Sequence, residues 1–309
     1  TQKITSAMKM VSAAKLRRAQ MNAESARPYA LKMDQVIGSL VSRVDSSAHP
    51  LIQPSSTDDK ELVIVVSSNR GLCGGYNTNL FRALDKFITS KTASGVQVDL
   101  ATVGRKAATY YKNRPPVIHA NFEEIIGNVS YATAKELAKY GVDLFVDGTY
   151  GKVHLLFNEF VSAIEYNTQM HPLLPLSLDG IELVEDDASE YIFEPNEEAL
   201  LGSLIPAHIE VQVLRSLLEA DASEQGARMA AMDSATNNAK DMISRYPYRV
   251  INAQWTVSDS HKSFVANVKV VGRNSLGIAN QITYIVSEEL KVTMRAINVQ
   301  TTKNDEVVG

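Results

Sequence analysis

Two long segments of the chain repeat apolar or small residues at the spacing of a narrow helical seam. The first, Thr1–Met33, is rich in strong helix formers and has no glycine, and no proline before Pro28. The second, Ile209–Ile243, repeats its seam residues at alternating intervals of four and three, as the core positions of a coiled coil do. The predicted seam residues are Ile4, Ala7 or Met8, Val11 and Ala14 in the first helix, and Leu218, Ala222, Gln225, Met229, Met232, Thr236, Ala239 and Ile243 in the second.

Small and polar residues within both seams indicate a slim coiled coil rather than a broad globular core. Because the two helices flank a folded domain, we expect them to pair as an antiparallel shaft, which is a mechanical part. The expected contacts join Val11 or Ala14 to Met229, Met232 or Thr236.

The region between the two helices alternates strands with helices. It opens with Glu61–Ser67, a continuous apolar run typical of a parallel strand buried on both faces. The alternation that follows predicts an α/β layer with a mostly parallel sheet. The later elements are Tyr76–Thr89 (helix), Val96–Val103 (strand), Arg105–Lys112 (helix), Val117–Ala120 (strand), Ser130–Gly148 (helix) and Val153–Phe157 (strand).

A third region starts near Tyr246, where a Tyr-Pro-Tyr sequence ends the second long helix. Strands at Val250–Val257 and Phe264–Val271, a helix at Leu276–Glu289 and a strand at Val292–Thr301 predict a small, partial α+β tail. The sequence therefore predicts four regions: residues 1–55, the first coiled-coil helix; 60–200, the α/β domain; 205–245, the second coiled-coil helix; and 246–309, the tail.

Composition narrows the class of protein only slightly. Hydrophobic residues make up 45% of the chain and charged residues 21%, as in ordinary globular proteins. The net charge of −4 is too small to indicate a nucleic-acid partner, although the first helix is basic. A single cysteine excludes an internal disulfide and favours a reducing compartment. No run approaches the ~20 apolar residues that are needed to span a bilayer.

The motif with the most chemical promise is the glycine loop Ser68–Asn77, between a strand and a helix. Its glycines, Gly71, Gly74 and Gly75, match neither nucleotide-binding pattern, and no lysine or hydroxyl residue follows where a phosphate and magnesium would be held. A tight strand-to-helix turn is the better interpretation. Cys73 has no neighbouring histidine to activate it and is interpreted as structural. The six histidines lack metal-ligand spacing, so we expect no catalytic constellation, metal or cofactor.

Three segments carry a resemblance to a known family. TQKITSAMKMVSAAKLRRAQ, SNRGLCGGYN and SEQGARMAAMDSATNNA resemble the gamma subunit of F-type ATP synthases, over Thr1 to about Ile243. The resemblance implies an antiparallel coiled coil with an inserted Rossmann-like domain. It further implies a non-catalytic rotor stalk that couples proton-driven rotation to ATP synthesis. The implied partners are the alpha and beta subunits of the head, the epsilon subunit and the membrane rotor ring, at the cytoplasmic face of a bacterial inner membrane.

The resemblance also implies roles for particular residues. Met8, Arg228 and Met232 match shaft positions that contact the beta subunits. Tyr191 and Glu194, in SEYIFEP, match the foot that rests on the membrane ring. Plain coiled-coil packing is an alternative for Met8 and Met232, and both roles can hold at once.

The tail resembles a different family. FVANVKVVGRNSLGIANQITYIVSEELKVTMRAINV is similar to part of an ACT domain, a ferredoxin-like fold, of the kind found in guanosine-tetraphosphate synthetase/hydrolases. That resemblance implies an effector loop at Asn274–Gly277. Two alternatives to a rotor stalk therefore stay open: a regulatory module that binds a small molecule through the tail, and a non-functional chimeric or truncated reading frame.

Overall fold

The computed structural model describes residues 2–41, 49–55, 57–177, 196–245, 249–258 and 263–271. The chain divides into two compact units, Thr1–Asn237 and Asn238–Gly309. The helices are α1 (Gln2–Val41), α2 (Tyr76–Ala93), α3 (Arg105–Tyr111), α4 (Tyr131–Val146) and α5 (Glu197–Arg245). The strands are β1 (Lys60–Val66), β2 (Gln97–Val103), β3 (Ile118–Phe122), β4 (Lys152–Ser162), β5 (Glu165–Leu174), β6 (Arg249–Ser258) and β7 (Ser263–Val271).

A five-stranded sheet forms the centre of the first unit, in the order β3-β2-β1-β4-β5. The first four strands are parallel, and β5 runs antiparallel to β4. The side chains of β1 alternate between two cores: Leu62 and Ile64 lie with α4 and α5, and Val63 and Val65 lie with α2 and α3. Burial on both faces explains the unbroken apolar run and confirms the predicted α/β layer.

Strand β5 is an addition that the sequence analysis did not predict. Residues from Glu165 to Met170 alternate between exposed and partly exposed side chains, and in β5 only Leu173 and Leu174 are fully buried. The hairpin turn that joins β4 to β5 also lacks an Asn-Gly or Asp-Gly signal. An edge strand of this kind gives little hydrophobic pattern to detect.

The two long helices pair in antiparallel fashion and so form the predicted shaft. Both are longer than predicted, and each continues past a proline, Pro28 in α1 and Pro206 in α5. As residue numbers rise along α1, the numbers of their partners on α5 fall. The bridging pairs are Thr5 with Thr236 (2.8 Å), Lys9 with Asp233 (2.6 Å), Arg27 with Glu219 (3.6 Å) and Asp34 with His208 (3.4 Å).

The seam predicted for α1 was wrong, because the buried residues lie about one position further along the helix than the predicted ones. Ile4 and Val11 are 65% and 57% exposed, and Ala7 and Ala14 are exposed as well, so the predicted contacts of Val11 and Ala14 with α5 are replaced by an outward-facing stripe. Thr5 and Ser12 are buried instead, and the Thr5 hydroxyl is satisfied by Thr236 of the facing helix. Choosing the most apolar residues therefore selected the wrong stripe. The buried seam contains Thr5, Ser12, Leu16, Ala19 and Ala23.

Helix α5 belongs to two cores in succession. Its first half places Leu201, Ile205, Ile209, Val213 and Leu217 against the sheet and α4. Its second half packs on α1, where the predicted seam from Leu218 to Met232 is buried or partly buried. One continuous helix therefore joins the α/β domain to the shaft. No helix in the described ranges is long and apolar enough to cross a membrane.

In the second unit, β6 and β7 form an antiparallel hairpin that pairs Arg249 with Val271 and Ser258 with Ser263. These strands confirm the two that were predicted at Val250–Val257 and Phe264–Val271. The predicted helix Leu276–Glu289 and strand Val292–Thr301 lie outside the described residues.

Candidate functional site

The start of α1, from Ile4 to Ala14, carries an apolar stripe on the exposed face of the shaft. Ile4, Met10 and Val11 are each more than half exposed, and Ala7 and Ala14 lie along the same face. Exposed cations flank the stripe on the same helix. A contiguous exposed apolar surface with a charged border is typical of an interaction site. The flanking cations are Lys3, Lys15, Arg17 and Arg18.

Two of the predicted contact residues, Met8 and Met232, differ in how far the shaft buries them. Met232 is only 4% exposed, and Met8 is partly exposed. Met232 therefore takes part in coiled-coil packing. Part of the Met8 side chain remains accessible from outside the shaft.

Arg228 faces the glycine loop of its own chain. Its Nη1 lies 2.7 Å from Oε1 of the buried Glu224, and 11% of the Arg228 side chain is exposed. Its Nη2 donates to the carbonyl oxygen of Arg70 at 3.2 Å, and its Nε and Nη2 donate to that of Gly71 at 3.4 Å. Burial raises the pKa of Glu224, and the neighbouring guanidinium opposes that rise. The pair thus fixes a cation beneath two loop carbonyls.

The loop itself lies against α5. Gly74 has a φ of 56°, in the left-handed region that favours glycine, and Leu72 has a φ of 64°. A Cβ built on Gly74 would lie 3.8 Å from the Cβ of Ala231. Burial raises the pKa of the Cys73 thiol, which fits a structural thiol rather than a nucleophile.

A second segment, at the end of β4, touches α5 from the other side. A Cβ on the buried Gly226 would lie 2.9 Å from the carbonyl oxygen of Ala163, so only glycine fits there without a shift. We call Arg70–Tyr76 and Asn158–Ala163 together the collar. Its further bonds to α5 are Phe160 N to Glu219 Oε2 (3.1 Å), Ser223 Oγ to the Asn158 carbonyl (2.9 Å) and Tyr76 Oη to the Ala220 carbonyl (3.2 Å).

The collar was missed by sequence reasoning. Its acceptors are mostly backbone carbonyls, which leave no trace in side-chain chemistry. Two signals were available: a Glu224–Arg228 pair at i, i+4, and a glycine, Gly226, in the middle of a strong helix.

The remaining site predictions are partly outside the structure. Tyr191 and Glu194 lie outside the described residues. Within the described ranges, no group of His, Cys, Asp and Glu side chains is placed to hold a metal ion.

Paired long helices with an α/β domain inserted between them define a protein built around a shaft, and the comparisons identify its family. The family model described as ATP synthase matches residues 1–252. The ATP synthase gamma chain of Geobacter metallireducens is 47% identical over 246 residues, which cover 79% of this chain and 84% of the relative. That of Chlorobaculum parvum is 41% identical over 260 residues, covering 82% and 86%.

A solved structure shows the same fold. It is the mitochondrial ATP synthase of Tetrahymena thermophila, central stalk and c-ring, with a TM-score of 0.56 and 26% identity. The match covers 75% of this chain and 99% of that one. The chain therefore belongs to the ATP synthase gamma chain family. Beyond residue 252, the resemblance to an ACT domain stays a prediction.

Proposed function

We propose that this chain is the rotor-stalk subunit of an F-type ATP synthase. In this role it turns inside a ring of alpha and beta subunits and couples proton-driven rotation to ATP synthesis. It is not itself catalytic, and it lies at the periphery of the cytoplasmic face of a bacterial inner membrane. Epsilon and the membrane rotor ring are its further partners.

The observation that carries the proposal is the apolar stripe on the outer face of α1. A two-helix shaft in water would be expected to turn residues such as Ile4 and Val11 inward, where about 1.5–3 kcal/mol per side chain is gained on burial. Here they point away from α5 and are more than half exposed. A surrounding sleeve of subunits would cover them. The flanking cations suit an acidic face on that sleeve.

The proposal assigns roles to the predicted contact residues. Met8, at the border of the stripe, touches the beta subunits, and Met232 supports it from the opposite helix. Arg228 is proposed to contact the beta subunits through its exposed fraction. Tyr191 and Glu194 form the foot on the membrane ring, a role supported by the SEYIFEP resemblance.

Co-expression with partner subunits tests the proposal. The full chain is produced with alpha and beta subunits from a bacterium whose gamma chain is similar, such as Geobacter metallireducens. We expect a stable complex whose ATP hydrolysis depends on this chain. Val11→Asp should weaken assembly at least tenfold, because it places a charge in an apolar interface.

Val146→Asp is the matched control, because Val146 is 59% exposed but lies at the end of α4, away from the stripe. It should assemble normally. Equal effects of the two substitutions, or assembly that is unaffected by Val11→Asp, would refute the role of the stripe. A failure to form any complex would refute the proposed function itself.

A further inference from the structure

Contacts between the collar and α5 are concentrated where the shaft leaves the α/β domain. Below this point, α5 is held by the apolar core that contains Ile205, Ile209 and Val213. Helix α1 packs on α5 both below and above this point, and the pairs Lys9–Asp233 and Thr5–Thr236 continue the shaft above it. A load that twists or bends the shaft acts most strongly at the collar, because the collar is the end of the contact between α5 and the α/β domain. Separation of two surfaces in contact starts at such an end.

We infer that the collar is a permanent clamp that holds the shaft to the α/β domain under load, and that Arg228 is its positioning residue. The inference rests on the proposed rotor function. In that setting torque must pass between the α/β domain and the shaft through α5.

The chemistry at Arg228 suits a clamp. Its guanidinium makes directional, charge-assisted bonds to the carbonyls of Arg70 and Gly71 while Glu224 neutralises it. Glu224 is itself buried, and Arg228 offsets more of its lost hydration than the more distant Lys15 does. Lifting the loop would leave the guanidinium without these two carbonyl partners. The arrangement therefore has one favourable geometry.

On the opposite side of α5, the segment Asn158–Ala163 is held by close packing and a neutral hydrogen bond rather than by an ion pair. The carbonyl of Ala163 rests on Gly226, where a side chain would collide with it. The buried Ser223 bonds to the carbonyl of Asn158. With Arg228 on one side and Gly226 on the other, about one turn of α5 is gripped between two segments of the α/β domain.

A disulfide can take the place of the Arg228 bonds to the loop. It tests whether Arg228 acts as a clamp within this chain or as a contact with partner subunits. A Cβ at Gly74 would lie 3.8 Å from the Cβ of Ala231, which is the separation that disulfides prefer. Gly74→Cys and Ala231→Cys are introduced after Cys73→Ser, which removes the competing thiol. The readout is ATP-driven proton pumping per ATP hydrolysed in membrane vesicles that contain the assembled enzyme.

We expect Arg228→Met to lower this coupling ratio at least threefold, and Arg228→Lys to lower it less. Adding the two cysteines and oxidising them should restore the ratio of the Arg228→Met enzyme to within about twofold of the parent. Reduction with dithiothreitol should remove the recovery. Gel mobility after maleimide labelling shows how much disulfide has formed.

Complete disulfide formation without recovery, where the same disulfide leaves pumping by the enzyme with Arg228 unchanged, would overturn the clamp and favour Arg228 as a contact with a partner subunit. If the Arg228→Met enzyme does not assemble, the cysteine pair is oxidised in the presence of Arg228. A permanent clamp then predicts no loss of pumping on oxidation, and a loss of pumping would show that the loop must leave the helix. A parent enzyme without pumping would count against the proposed function instead.

Discussion

Lys9 in α1 and Asp233 in α5 form an ion pair across the shaft, with 2.6 Å between Nζ and Oδ1, although they lie 224 positions apart in the sequence. One turn away, the Thr236 hydroxyl donates to that of Thr5 at 2.8 Å. Sliding one helix past the other by a turn would break both contacts. These polar pairs therefore fix the register of a seam that its small residues specify weakly.

Charge exchange across the shaft tests this register. Lys9→Glu and Asp233→Lys should each lower the free energy of unfolding by less than about 1 kcal/mol, because both side chains are almost half exposed. The double exchange should recover most of the loss, as urea unfolding would show. Arg17→Glu is the control, because it makes the same charge change as Lys9→Glu at an exposed position. If the double exchange is as unstable as the sum of the two single changes, the pair does not set the register.

Two glycines of α5 offer a matched test of the collar. Alanine is the better helix former by about 1 kcal/mol, so Gly202→Ala, where a Cβ would meet nothing within 4 Å, should stabilise the protein. Gly226→Ala should instead destabilise it by about 1–3 kcal/mol, because the new Cβ meets the Ala163 carbonyl at 2.9 Å. Urea unfolding measures both. Stabilisation by Gly226→Ala would mean that the β4–β5 turn does not press on the helix.

A buried charge cluster at the amino-terminal ends of β1 and β4 predicts a dependence on pH. The Nε2 of His154 lies 2.9 Å from Glu61 Oε2, and Lys91 Nζ lies 2.6 Å from Glu61 Oε1. Burial lowers the pKa of His154, although Glu61 opposes this effect. Burial raises the pKa of Glu61, but the bonds from Lys91 and His154 outweigh it, so the pKa is lowered. The folded protein therefore favours neutral His154 beside ionised Glu61.

Because the unfolded chain takes up a proton at His154 below about pH 6.5 and the folded chain resists it, stability should fall as pH drops from 7.5 to 5.5. His154→Gln should reduce this slope without abolishing it, since burial also lowers the pKa of His49 and His208. Urea unfolding at three pH values gives the slopes. Equal slopes in the parent and the variant would contradict the assignment to His154.

We predict that the chain neither hydrolyses ATP nor binds it tightly. Two carbonyls of the glycine loop, those of Arg70 and Gly71, are turned to Arg228, so this part of the loop presents acceptors to a cation. The structure does bring one lysine near: Lys106 Nζ is 3.9 Å from a Cβ built on Gly71. Calorimetry should detect no micromolar binding. Micromolar binding that disappears in Lys106→Met or Gly74→Val would disprove the prediction.

The elements with strong periodicity could be predicted from the sequence, and the contacts between them could not. The apolar run of β1 and the small-residue repeat of α5 each have one physical interpretation. In α1, the residues from Ile4 to Val11 form two stripes, one small and polar and one apolar. Periodicity cannot say which stripe faces the partner helix, because an assembly can bury the other.

The collar shows a second limit. A carbonyl such as that of Ala163 is present in every residue, so its placement on Gly226 depends on the course of the whole hairpin. Arg228 was singled out because of the family resemblance, as a partner contact. Its bonds to Arg70 and Gly71 became visible only when the loop and the helix were placed together.

Direct observation of rotation tests the central claim, that this chain is a rotor. A bead is attached to the α/β domain through a biotinylated cysteine at the exposed Lys112, which follows α3, and alpha and beta subunits are fixed to a surface. With ATP present, the claim predicts stepwise rotation in one direction that stops when ATP is removed. A stable, ATP-hydrolysing complex in which the chain stays fixed relative to the ring would contradict it.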